Sequence, residues 1–319
     1  MRWLRSLVIV PIFFVLMAQA VDAPPEQLLR DGRADEARRA LNAAVNKNPD
    51  DAEAYNLLAR MYFQLEMWDN SLRNAEKAAN LQQNNSDYHL WLGRAAGRKA
   101  EASNPFTAWN LARKVRAEFE RAVSLNGENL SARSDLAEYY LEAPGFLGGD
   151  KKKAREQGDA VKAKDPALAS YIYAKLAEKQ GASNAEEQYK TAIRESGNES
   201  RYWIELAHFY RRAGRLSEMD SAIAQALAAT HEDSAPEYEG AYLLLRTNRN
   251  LNNGIQMLRR YLSNNSASED APAFRVHYLL GELLLRQGDK KGAAEQYRAC
   301  LALASEFHPA QDALARLSR

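Results

Sequence analysis

Between Arg201 and Leu227 apolar residues recur at intervals of three and four: Trp203, Leu206, Ala207 and Tyr210, then, beyond Gly214, Met219, Ile223, Ala226 and Leu227. Such intervals place side chains on one face of an α-helix, so the run predicts two amphipathic helices broken by a turn at Gly214. Neither helix can bury its stripe alone, and the short connection folds the two into an antiparallel hairpin.

The same spacing returns along the chain. Leu280-Gly281-x2-Leu284, Gly288-Asp289, Ala293-x3-Tyr297 and Cys300-Leu301 restate it near the C-terminus, and Tyr55-x2-Leu58-Ala59-x2-Tyr62 with Ala75 and Ala78 near the N-terminus. Ala185-x3-Tyr189-x2-Ala192-Ile193 gives a second helix, and Gly254 fills the small-residue position in a looser copy over 238–262. Ala34, Ala37, Leu41, Ala44 and Pro49 form the second half of a truncated opening unit. Seven to eight units follow in phase, near 24–50, 52–85, 86–129, 130–166, 166–199, 200–233, 235–268 and 274–307, with a last helix over 308–319 as a cap.

Bulky residue, Leu-Gly or Leu-Ala, Tyr, then Ala and an aromatic, at a period near 34 residues, resembles the tetratricopeptide repeat. The resemblance implies an all-α solenoid of antiparallel helix pairs and a binding scaffold. In that family the first helix of each pair lines a concave groove. The Lys-Asn-Asn-Lys-Arg clamp of some chaperone-binding relatives is not matched, since Arg60 stands where Asn is expected.

Two segments interrupt the period. Lys99–Asn110, with Phe106 and Trp109, inserts residues between the helices of the third unit, and Leu141–Asp150, with Phe146, lengthens the turn of the fourth. Insertions in solenoids map to loops on one face and mark a binding edge. Aromatics there that only pack on the array will be buried; aromatics that bind a partner will be exposed. The pairing of a long third turn with the Ala143-Pro144-Gly145 and Gly148-Gly149-Asp150 turn is similar to a group of exported bacterial tetratricopeptide proteins, implying a cell envelope.

The first residues agree with export. Arg2 and Arg5 precede an apolar run from Leu7 to Met17, and Ala18-Gln19-Ala20 has the form of a cleavage site, so 1–20 reads as a signal peptide. That run falls short of the roughly 20 residues that span a bilayer. The expected place is periplasmic or otherwise extracytoplasmic, without stable membrane insertion after cleavage. Removing Arg2 and Arg5 from 43 basic residues leaves 41 against 42 acids, which argues against bulk attraction to nucleic acid. The single cysteine, Cys300, cannot form an intrachain disulfide and falls at a packing position.

Catalytic motifs are not apparent. The five histidines, His89, His208, His231, His277 and His308, lack metal-ligand spacing. Gly145, Gly148 and Gly149 beside Lys151-Lys152-Lys153 lack the strand and spacing of a phosphate loop, so they read as a turn with Asp150 capping the next helix. The expectation is a non-enzyme with no cofactor and no metal.

The positive lead is the groove face, projected to carry Asn56, Arg60, Arg94, Arg98, His208, Arg211, Arg212, Arg246, Arg275 and Arg286. Arginine captures carboxylates bidentately, and Trp203, Phe209 and Tyr278 offer apolar contacts beside it. These residues point to a protein or peptide partner of acidic character. Self-assembly of repeat edges into an envelope structure, or service as an accessory subunit of an envelope enzyme, are the alternative classes.

Overall fold

The computed structural model describes residues 23–229, 235–264 and 267–317; the segment expected to be a signal peptide, and His231, lie outside them. Among the described residues the chain is all helix but for turns. Eight pairs follow in order: α1 (Pro25–Arg30) with α2 (Ala34–Lys47), α3 (Ala52–Gln64) with α4 (Trp68–Leu81), α5 (Ser86–Glu101) with α6 (Pro105–Leu125), and α7 (Leu130–Glu142) with α8 (Lys151–Val161). Then come α9 (Pro166–Lys179) with α10 (Ala185–Glu195), α11 (Ser200–Arg212) with α12 (Leu216–Ala228), α13 (Ala235–Thr247) with α14 (Leu251–Ser263), and α15 (Ala273–Arg286) with α16 (Lys290–Leu303). A final helix, α17 (His308–Leu317), follows.

Local chemistry sets these boundaries. Asp51, Asn85, Asn104, Asn129, Asp165 and Asp289 each accept a backbone N–H from the first turn of the helix they precede. Between α11 and α12, Gly214 takes φ +72°, the left-handed conformation that a tight helix-to-helix turn requires. In some pairs a glycine of the first helix admits an aromatic of the second, as Gly93 does Phe119. Tyr297 packs against Gly281, where a Cβ would lie 2.5 Å from its ring, and its hydroxyl donates to Glu282 at 2.6 Å. Tyr189 is fully buried and donates to Glu178 at 2.7 Å in the same manner.

First helices also touch one another along the array, α3 with α5, α5 with α7, α7 with α9, α11 with α13 and α13 with α15. In a curved stack the inner spacing is the shorter one, so the first helices line the inside of the curve.

The third unit differs from the expected loop. Its extra residues lengthen helix instead: α6 runs 21 residues, against 13 and 14 in α3 and α4, and only 102–104 connect it to α5. Asn104 caps α6 by accepting from Thr107 at 3.1 Å, Pro105 fits the first turn, and Leu111, Val115 and Phe119 continue the apolar stripe. At about 1.5 Å per residue, α6 stands roughly 10 Å longer than its counterparts. The fourth-unit turn holds a single 3-10 turn, Gly145–Leu147, tied back by Tyr139 donating to the Leu147 carbonyl at 2.8 Å. Asp150 caps α8, accepting from Lys152 at 2.8 Å and Lys153 at 3.2 Å.

The array also returns on itself. Leu28, Leu29, Leu41 and Met61 of the first two pairs share one apolar core with Phe274, Cys300, Phe307 and Ala310 of the last. Phe307 packs edge-on to Phe274 at 5.2 Å and to Tyr278 at 5.4 Å. Polar contacts ring this core. Arg275 donates to the Gln64 carbonyl and to Glu66, both at 2.8 Å; Gln64 donates to the Glu269 carbonyl at 3.0 Å; Arg60 holds the Glu269 carboxylate with two N–H groups; Arg38 pairs with Glu306; and the Ser305 amide donates to Asp35 at 3.0 Å. So α17 does not simply shield an open end. It helps seal the last unit to the first.

Candidate functional site

The inner face is built from the first helices. Its projected residues are not one uniform cationic surface. Asn56 is buried in the helix packing, with no hydrogen-bond partner for its Oδ1, and so lies beneath the groove surface. Arg60 and Arg94 both lie over the Trp91 ring, at 5.4 and 4.9 Å from its centre. Each is also neutralised, Arg60 by Glu269 and Arg94 by Asp135 at 2.6 Å. Burial alone would lower the Arg60 pKa, but the hydrogen bond and charge of Glu269 hold it above its ordinary value. Arg98 lies over Trp68 at 4.9 Å and pairs with Glu101.

Farther along, the charges stitch unit to unit. Arg212 donates from two nitrogens to Glu178 of the preceding pair, at 2.6 and 2.9 Å. Burial works to raise the Glu178 pKa, yet hydrogen bonds from Arg212 and Tyr189 keep it below the usual carboxylate value. Lys179 reaches Glu142 at 2.6 Å and Lys175 reaches Glu138 at 3.6 Å in the same sense. Arg275 belongs to the closure. Three of the projected arginines, Arg211, Arg246 and Arg286, form no ion pair among the described residues, and the buried Nε of Arg211 has no partner. All three lie in the last turn of successive first helices, α11, α13 and α15. A helix C-terminus favours cations, which retains these side chains without an acid of the chain's own.

His208 lies 3.6 Å from Glu239 in a cleft of about 1040 Å³ between the starts of α11 and α13 and the segment before α15. Glu199, Glu205, Glu239 and Asp270 line that cleft against Arg201 and His208, so this part of the face carries more acid than base. Burial pushes the Glu205 pKa upward, opposed by Lys175 and His208.

The other titratable candidates are occupied by packing. The buried Cys300 thiol is pushed up to about 12 by desolvation. His89 bonds Glu118 at 2.6 Å and His277 bonds Gln296 at 2.8 Å. No cluster of three metal-capable side chains occurs among the described residues. Burial lowers the His277 pKa from 6.5, so the unfolded chain takes up this proton first as pH falls. The resulting loss of stability begins near that unfolded value and continues down to the folded one. Replacing His277 by Gln is expected to flatten the dependence of the thermal midpoint on pH between about 7 and 5. An unchanged slope would show that this imidazole is not desolvated.

Sequence spacing had not singled out Trp91, Phe63 and Trp68, whose rings meet edge-on at 5.5 and 5.7 Å beside the three N-terminal arginines. The spacing of Trp91 and Arg94, three apart on one helix, is the signal that could have pointed to this cluster. Arg60 reaches the same ring from the neighbouring pair, which spacing along one helix does not reveal.

Comparison with known proteins agrees with this architecture. Tetratricopeptide-repeat family models match residues 26–61 and 238–306. Similar solved structures include a thermophilic tetratricopeptide-repeat protein of Thermus thermophilus, at 19% identity and TM-score 0.47 over 58% of this chain and 98% of that one. Another, a tetratricopeptide repeat protein from Parabacteroides merdae, has 15% identity and TM-score 0.42 over 92% of this chain and 99% of that one. Residues 26–61 and 238–306 are thus tetratricopeptide repeats, and both segments lie in one array of helix pairs.

Proposed function

We propose that the chain is a non-catalytic scaffold or adaptor of the bacterial cell envelope, receiving an acidic or C-terminal peptide segment of another protein on the inner face of its array. Helical repeats of this type present extended concave surfaces for binding, and binding is the whole of the mechanism. The observation that supports the reading is the row Arg211, Arg246 and Arg286, without an acid partner among the described residues while most other inner-face cations are neutralised within the chain. Three guanidiniums in successive units suit an extended segment with carboxylates, which arginine takes in fork geometry. Export rests on the cationic opening, the apolar run and Ala18-Gln19-Ala20.

The test uses Arg246→Glu with Arg286→Glu. Both side chains are exposed and pair with no acid among the described residues, although Arg246 lies 6.0 Å from the Tyr242 ring. Arg212 is avoided, because reversing it would break its pair with Glu178. Affinity capture from the cell envelope is expected to recover a partner with the unaltered chain and at least about tenfold less with the variant, the thermal midpoints being alike. Equal recovery would remove the arginine row from the interface. Recovery of the chain alone would favour self-assembly.

A further inference from the structure

The corner where α6 begins exposes aromatics that the array does not use. Phe106 is 81% exposed, Phe146 72% and Trp109 43%. Phe106 and Trp109, three apart, share one face of the α6 start, and Trp109 stacks on Phe146 at 5.2 Å with the rings 9° from parallel. The stack joins the start of the long helix to the 3-10 turn before α8, with Phe106 exposed beside it on the same helix face.

Its rim is cationic. Arg113 follows Trp109 by one turn, and Lys151 and Lys152 open α8 five residues after Phe146; all three are exposed and form no ion pair among the described residues. Lys153 lies over the Tyr140 ring at 5.4 Å. Acids near the platform are already engaged: Glu101 pairs with Arg98, Glu120 accepts from the Tyr140 hydroxyl at 2.8 Å, and Asp150 caps α8. Lysines in a first helical turn oppose the helix dipole, so folding alone does not favour them there.

We propose that this corner is a peripheral membrane contact, seating Phe106, Trp109 and Phe146 in the interface of an anionic phospholipid bilayer while Lys151, Lys152 and Arg113 meet the headgroups. Trp and Phe settle at the headgroup level, and basic side chains beside them add attraction to anionic lipid. A convex tip needs no matching pocket in a fluid interface. A protein hot spot needs a surrounding ring of contacts to exclude water, and charged side chains flank this one. The near-zero net charge of the chain supplies no bulk attraction to anionic lipid, so the contact depends on local charge. No described helix is long and apolar enough to cross the bilayer, so the contact is a surface one.

The test is co-sedimentation of the chain beginning at Val21, which keeps every described helix and removes the apolar opening. Vesicles of phosphatidylglycerol mixed with phosphatidylcholine are compared with phosphatidylcholine alone. At low salt the chain is expected to partition onto the anionic vesicles. Lys151→Gln with Lys152→Gln should weaken partition on the order of twentyfold, and Phe106→Ser with Phe146→Ser by at least about tenfold. Both pairs are exposed, so thermal midpoints should hold. No partition by the unaltered chain, or equal partition by the serine variant, would overturn the proposal. So would a protein partner lost with the serine variant while vesicles bind neither form, which would make the platform a protein contact.

Discussion

Phe307→Ala is expected to destabilise the chain by about 3–5 kcal/mol, the usual cost of emptying a buried phenylalanine site, and to part the two ends of the array. Phe307 is fully buried between units remote in sequence, against Phe274 and Tyr278, with the Arg275 guanidinium 5.6 Å from its ring. Cys300 lies in the same core and reports on its opening. Desolvation holds its thiol up to about 12, so the native chain should alkylate slowly and only through transient opening. Losing about 3 kcal/mol from the seal should speed labelling on the order of a hundredfold. Denaturant titration checks the first figure and alkylation kinetics the second. If neither moves, the ends are not joined in solution.

Gly32→Ala attacks the same seal without removing any apolar surface. Gly32 adopts φ +70°, and a Cβ there would press on the Ala273 backbone nitrogen and stand 2.9 Å from the Pro272 carbonyl carbon. Backbone cannot swing aside as a side-chain tip can. The left-handed conformation and the clash together should cost about 2–4 kcal/mol and push the first pair away from α15. Gly214→Ala is the matched control, with φ +72° and open space around the added carbon. It should cost only about 1–2 kcal/mol and leave the radius of gyration unchanged in small-angle scattering, whereas Gly32→Ala should enlarge it. Equal behaviour of the two variants would sink the closure argument.

The helix pairs were legible because each depends on neighbours in sequence. Leu206, Ala207 and Tyr210 against Met219 and Ile223 define a hairpin within one unit, and in other units Asp51 and Asn129 mark where a helix starts. The third unit shows where such reading slips. Residues 99–110 broke the period and so looked like a loop, but Asn104 and Pro105 are also a helix-start signal, and Leu111, Val115 and Phe119 carry the stripe onward. The groove was legible by residue type and not by state. Arg94, Arg98, Arg212, Arg246 and Arg286 look alike along the chain; Arg212 differs because Glu178 lies beside it from the preceding pair, 34 residues away, and Arg246 and Arg286 because no acid among the described residues pairs with them. Exposure of Phe106, Trp109 and Phe146 likewise depends on how far α6 projects.

By itself the sequence determined the all-helical class, the repeat period, the hairpin pairing and glycine-against-aromatic contacts such as Gly281 with Tyr297, since all of these arise from side chains within a few turns of one another. Only the tertiary structure decided that the first unit meets the last. Arg60 and Glu269 are 209 residues apart, Asp35 and Ser305 270. Their meeting depends on small rotations accumulated over every intervening pair, a sum that no local pattern carries.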